Sequence, residues 1–148
     1  MKPSEVRCLV LAEHVELRKR LVEIDAVTSR ILAGHEGGER ILRDKVRQLC
    51  ALLEGHLALE ETTLLPAIGE VDGWGPVRAD HLRQEHQAQR AALARLDRIC
   101  TQAAGVELAR TAQAFGRSLL EDMNLEEREL LNPNLLRDDL ISIDQFLG

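Results

Sequence analysis

Six side chains in this sequence have the chemistry and the spacing to hold metal: His14, His56, Glu60, His86, Asp122 and Glu126. His56 and Glu60 stand four apart in the run His56-Leu57-Ala58-Leu59-Glu60-Glu61. On a helix that spacing puts both on one face, one turn apart. The face is otherwise apolar, since Leu49, Leu53, His56, Glu60 and Leu64 follow a 3.6-residue rhythm. His14 and His86 sit on equivalent stripes, and Asp122 with Glu126 repeats the four-residue step in Asp122-Met123-Asn124-Leu125-Glu126-Glu127. A carboxylate on a core-facing stripe needs a partner, because burying it unpaired is very costly. Imidazole and carboxylate together suit iron, manganese or zinc. Glu60, Asp122 and Glu126 set against two divalent ions leave one positive charge, which a bridging hydroxide would cancel.

A metal-free arrangement of the same groups stays open at this level. Arg18 and Arg90 stand four residues after His14 and His86, so either can pair with Asp122 in a purely ionic network. Glu126 near a helix end is as well suited to solvent as to an ion. His81 precedes His86 by five, about 140° around a helix, and reads as an exposed or hydrogen-bonding neighbour rather than a ligand. His35 falls in a Gly-rich turn and should face solvent. Glu61, Glu127 and Glu129 read as surface charges or as partners behind the ligands, and Met123 as packing. Trp74 either caps one end of the molecule or marks a contact.

The elements that must position these groups are all helical. Ala, Leu, Glu and Arg dominate, aromatic residues are 2% of the 148, and Gly and Pro are few, a composition that favours helix nearly throughout. The first helix is predicted from Pro3-Ser4-Glu5, with Ser4 as cap, to about Ala33. Gly34-His35-Glu36-Gly37-Gly38 then makes a turn. The second runs from about Glu39 to Leu65 and ends at Pro66. The third starts at Pro76 and reaches about Ala104. The fourth spans about Val106 to Leu131. In the tail, Leu140, Ile143 and Phe146 are placed to pack a small helix on the rest. Short connections give antiparallel neighbours, so the expected fold is all-α: a single domain, residues 1–148, as an up-down-up-down antiparallel four-helix bundle with its core over 5–133.

The chain also repeats itself. A shift of 72 sets Glu13-His14 on Glu85-His86, Arg18 on Arg90 and Leu21 on Leu93. A shift of 66 sets Leu53 on Leu119, His56 on Asp122 and Glu60-Glu61 on Glu126-Glu127. A shift of 67 would pair His56 with Met123 instead; 66 is preferred because it keeps the whole apolar stripe.

The net charge of −6, with both signs interspersed, argues against nucleic acid as a partner. No run is apolar enough to span a membrane and no signal peptide opens the chain, so the expected compartment is the cytoplasm. Cys8, Cys50 and Cys100 are an odd number with no C-x-x-C pair, which reads as reduced thiols rather than disulfides or a zinc site.

Over residues of about 5 to 133 the sequence resembles the hemerythrin-like, HHE cation-binding domains. The resemblance rests on Glu13-His14 followed by Leu17-Arg18, on His56-x-x-x-Glu60-Glu61-x-x-Leu64-Leu65-Pro66, and on Glu85-His86 followed by Arg90. It implies a four-helix bundle with a non-haem di-iron centre that works with a small ligand: dioxygen, nitric oxide or peroxide. Three departures stand out. Asp122 occupies the place of an expected fourth-helix histidine, no histidine stands four from His86 on the third helix, and aromatic residues are nearly absent. Reversible dioxygen carriage is therefore not expected. The expected cofactor is iron, as two non-haem ions, with manganese or zinc also suited, in a monomer or homodimer. His14, His56 and His86 would supply nitrogen, Glu60 and Glu126 would bridge or chelate, and Asp122 would fill the empty histidine place. The rival readings are a metal-free interaction bundle and, more weakly, haem held by His81 or His86.

Overall fold

The computed structural model describes residues 1–139. Four helices, α1 (Pro3–Leu32), α2 (Glu39–Gly69), α3 (Gly75–Gln102) and α4 (Gly105–Glu129), account for nearly all of them, with no strand among the described residues. They form a four-helix bundle in which α1 and α3 each pack against both α2 and α4. The tail positions Leu140, Ile143 and Phe146 lie outside the described residues.

The core is divided into two apolar clusters. Val6 and Val10 of α1, Leu64 and Ile68 of α2, Leu82 of α3, and Leu131 and Leu136 beyond α4 make one of them. Leu17 to Ile31 of α1, Leu42 to Leu57 of α2, Leu93 to Cys100 of α3 and Leu108 to Met123 of α4 supply the other. Between them each helix turns one or two polar side chains inward: His14, then His56 and Glu60, then His86, then Glu126, all buried. The stripe rhythm read from the sequence is thus the rhythm of burial, with a single polar layer across it.

Several helix ends differ from expectation, each for a local reason. Helix α2 passes through Pro66 and runs on to Gly69. Pro66 removes one backbone bond near the helix end, but the next turn keeps Ile68 fully buried against Leu64 and Leu82, and burying such a side chain stabilises by about 1.5–3 kcal/mol. Ser4 does not cap α1. Its N–H and Oγ both donate to the Asp138 carboxylate, at 2.9 and 2.6 Å, tying the start of α1 to the segment after α4. Helix α4 stops at Glu129, and Leu131 is buried just beyond it.

The turns use glycine where geometry demands it. Gly34 and Gly37, between α1 and α2, have φ of 89° and 93°, a region costly for other residues. Gly75 begins α3 so close to the end of α2 that a Cβ there would lie 2.3 Å from the Gly69 carbonyl oxygen. Trp74 beside it is 69% exposed, so its ring does not cover the end of the bundle.

Because Pro66 is exposed and sits inside a helix that continues past it, Pro66→Ala restores an N–H for the Thr62 carbonyl. It should stabilise the fold by about 1 to 2 kcal/mol, measured by urea denaturation. A loss of stability would show that the ring itself packs against something.

Candidate metal centre

Neighbouring residues on a helix are about 100° apart, and this gives each Glu-Glu pair a division of labour. On α2, Glu60 points into the core while Glu61 turns toward α3. On α4, Glu126 points in while Glu127 turns toward α1. The inward members and the histidines are almost wholly removed from water: exposure is 0% for His14, 4% for His56, 1% for Glu60, 2% for His86 and 8% for Glu126.

Four of these groups converge. One donor atom from each of His14, His56, Glu60 and Glu126 lies within 4.8 Å of every other. His56 Nε2 is 2.7 Å from Glu60 Oε1, and His14 Nε2 is 3.2 Å from Glu126 Oε1 and 3.6 Å from Glu60 Oε1. The His14 and His56 rings are 5.0 Å apart, centre to centre, and tilted by 55°. Yet His14 Nε2, Glu60 Oε1 and Glu126 Oε1 make no directed hydrogen bond, and neither does His14 Nδ1. Close approach without such bonds is what lone pairs aimed at a common point produce. Metal–donor bonds of about 2.0–2.2 Å set adjacent donors about 3 Å apart, so the residues fit a cation.

The outer atoms of the histidines are held by a further set of carboxylates. His56 Nδ1 faces Glu13 Oε2 at 3.1 Å, which makes Nδ1 a donor and turns Nε2 toward Glu60 and the centre of the cluster. His86 Nδ1 faces Glu61 Oε1 at 3.0 Å, and Arg90 donates to the same carboxylate. His14 Nδ1 lies 3.8 Å from Glu127, and Arg18 donates to that one. The two arginines therefore hold Glu127 and Glu61, not Asp122 as the ionic alternative supposed.

His86 is in the polar layer but differently engaged. Its Nε2 lies 2.8 Å from Glu60 Oε2 while its Nδ1 faces Glu61. Carboxylates on both ring nitrogens require both to donate. Burial opposes that charge, but Glu60 and Glu61 raise the His86 pKa above its usual value.

Asp122, which the sequence places at the expected histidine position, is not among the four groups that converge. It is half-buried, and its Oδ2 accepts from Gln89 Nε2 at 3.1 Å. The carboxylate is shorter than an imidazole, and the buried position next to it belongs to Met123. His81 and His35 are exposed. Glu13 is the partner that stripe-reading missed, because it sits one residue off the inward face. Its position just before His14, matched by Glu85 before His86, was the available signal. Glu85 itself is pushed up by burial and then by the charge of Asp122.

Without a cation, protons take its place. Burial opposes protonation of His14, but the Glu126 and Glu60 carboxylates outweigh it and hold the pKa at about 9. Burial raises Glu126 well above the usual carboxylate range, with Glu60 adding to it. Glu60 is itself lowered despite burial, by His14, His56 and His86.

A family model described as the hemerythrin HHE cation binding domain matches residues 9–133. Comparisons with curated proteins and with solved structures found no match.

The His14 shift sets a pH dependence for the metal-free protein. A histidine whose pKa is higher folded than unfolded contributes its stability in full below about pH 6.5 and loses it as pH rises through 9. At about 1.4 kcal/mol for each pH unit in that window, the loss is on the order of 3 kcal/mol. Urea titrations of chelator-stripped protein between pH 6 and 9.5 should show it, and His14→Gln should flatten the curve. A flat wild-type curve would remove His14 from its place between the carboxylates.

Proposed function

The chain belongs to the hemerythrin HHE cation-binding family, and from that premise we propose that it is a non-haem iron protein of the cytoplasm that senses or reacts with a small oxidant. The observation that carries the reading is the convergence of His14, His56, Glu60 and Glu126 on one point with three of their facing atoms left without hydrogen bonds. His14 and His56 would hold the ion with imidazole nitrogen, and Glu60 and Glu126 with carboxylate oxygen. His86, 2.8 Å from the other oxygen of Glu60, would be the nitrogen available to a second ion of a di-iron pair. Bound iron supplies direct coordination of, and one-electron exchange with, dioxygen, nitric oxide or peroxide.

The protein's own groups do the rest. Glu13 orients His56, and Glu127 with Arg18 stands behind His14. The apolar clusters above and below the layer exclude water and so strengthen each charge interaction within it. Mixed imidazole and carboxylate donors suit iron and manganese better than a sulfur-rich site would. Three unpaired cysteines fit a reducing compartment, and no helix of the described residues is long and apolar enough to cross a membrane. The start of each helix lies in the same apolar cluster as the end of its chain neighbour. This supports an alternating up-and-down course for α1 to α4, and one domain over residues 9–133. We propose a monomer or homodimer with a diatomic gas or peroxide as its ligand, and neither nucleic acid nor membrane as a partner.

The metal-free ionic bundle is the rival with a specific observation behind it, His14 Nε2 lying 3.2 Å and 3.6 Å from the Glu126 and Glu60 carboxylates. Haem finds less support: His81 is exposed, and both nitrogens of His86 face carboxylates.

Protein purified without chelator should carry iron by elemental analysis, with no haem band in its visible spectrum. His56→Ala should abolish tight binding. Glu13→Gln, which leaves every donor in place, should weaken binding by roughly 10- to 100-fold in a competition assay with a metallochromic chelator. Protein free of metal, and unable to take up ferrous iron, manganese or zinc, would leave the ionic bundle standing.

A further inference from the structure

The internal repeat pairs the polar groups across the bundle. Shifts of 72 and 66 carry His14 to His86, Arg18 to Arg90, Glu13 to Glu85, Glu60-Glu61 to Glu126-Glu127, and His56 to Asp122. The fold obeys that pairing in its outer contacts. His14 with Arg18 on Glu127 is matched by His86 with Arg90 on Glu61. Applied to the ion position formed by His14, His56, Glu60 and Glu126, the same operation gives a second position formed by His86, Asp122, Glu126 and Glu60. The two share the glutamates and differ in the other pair.

The second position is incomplete. Asp122, the counterpart of His56, faces Gln89 rather than the cluster. Of the four buried side-chain atoms without hydrogen bonds among the described residues, His14 Nε2, Glu60 Oε1 and Glu126 Oε1 lie at the first position, while His14 Nδ1 faces Glu127. Charge points the same way. Glu60 and Glu126 together balance one divalent ion, while Glu61 and Glu127 are balanced by Arg90 and Arg18. A second divalent ion would add two positive charges to a buried layer with no further carboxylate turned into it.

We propose that the two ion positions are unequal by construction: His14, His56, Glu60 and Glu126 hold one ion tightly, and the position beside His86 is weak because residue 122 is aspartate. His86 is then a positioning residue. It donates to Glu60 Oε2 and so turns Glu60 Oε1 toward the first ion. The repeat also says what would complete the second position. By the same shifts, Glu85 stands to residue 122 as Glu13 stands to His56.

This rests on the chain binding metal at all, and the test separates the two. Chelator-stripped full-length protein is titrated anaerobically with ferrous iron, desalted, and read by elemental analysis and calorimetry. One ion per chain retained, with any second step weaker by roughly 100-fold or more, is the expected result. Asp122→His should raise the retained count to two. His86→Ala should leave it at one, with a weaker first step, whereas His56→Ala should bring it to zero. Two ions retained equally by the wild type would overturn the inequality while keeping the metal reading, as would loss of the first ion in His86→Ala with the helical spectrum intact. No ion retained by the wild type would overturn both. If Asp122→His does not fold, the contrast between His86→Ala and His56→Ala still decides.

Discussion

Two carboxylates buried between layers of leucine are the constraint on which this bundle depends. Glu60 and Glu126 have almost no contact with water, and an isolated ionised carboxylate there would cost far more than a domain's whole stability. Something positive must reach them. Protons can do so, and in the metal-free fold they take two routes: onto His14, whose pKa rises, and onto Glu126, whose pKa rises as well. A divalent cation does the same with ligand bonds in place of poorly directed contacts. The imidazole nitrogens it needs are those the protons occupy, so cation and proton compete for one set of lone pairs. The polar layer is for that reason both the weakest part of the metal-free core and the part best prepared for an ion.

The surrounding groups hold that layer in readiness. Every inward histidine has a carboxylate on its outer nitrogen, from Glu13, Glu61 or, at longer range, Glu127. Two of these carboxylates are in turn held by arginines one turn from a histidine. A lone exposed ion pair contributes little. These are half-buried and share a carboxylate with an imidazole, so they fix ring orientation more than they add stability. Orientation is what a cation site requires of its second layer, since a ring turned away presents no lone pair at all.

Much of this was legible in the sequence, and the limits of legibility are physical. Helical rhythm is a statement about which way a side chain points, so it located the inward residues His14, His56, Glu60, His86 and Glu126, all of which the fold buries. Rhythm carries no information about reach. Asp122 has the repeat position of His56, yet its shorter side chain remains with Gln89. Nor does rhythm see the flank of a helix, which is why Glu13, part of the repeated Glu-His pair, was given no role beside His14. Local rules failed where distant packing outweighed them. Pro66 does not end α2 because Ile68 is buried beyond it, and Ser4 is drawn to Asp138, which is 134 residues away in sequence. Charge counting from sequence assigned Asp122 to the ions as a third carboxylate. With Asp122 outside, the inward charge is that of Glu60 and Glu126 alone.

That change in count bears on chemistry as well as on stoichiometry. Two imidazoles and two carboxylates make a harder donor set than a cluster dominated by histidine, and by the ordinary ordering of divalent ions such a set gives iron no intrinsic preference over copper or zinc. Selection must then come from supply and from shape. Shape here is governed by Glu60, the one residue that touches every histidine of the layer: His14 and His56 near Oε1, and His86 at Oε2. A cation that drew Glu60 toward itself would pull against His86 of α3, whose other nitrogen faces Glu61 of α2, the carboxylate that Arg90 of α3 also holds. Under the proposed assignment, ion size and preferred geometry would thereby be coupled to the seating of α3. In this arrangement α3 acts through Glu60, as a restraint on how the ion may be held rather than as a wall of its coordination sphere.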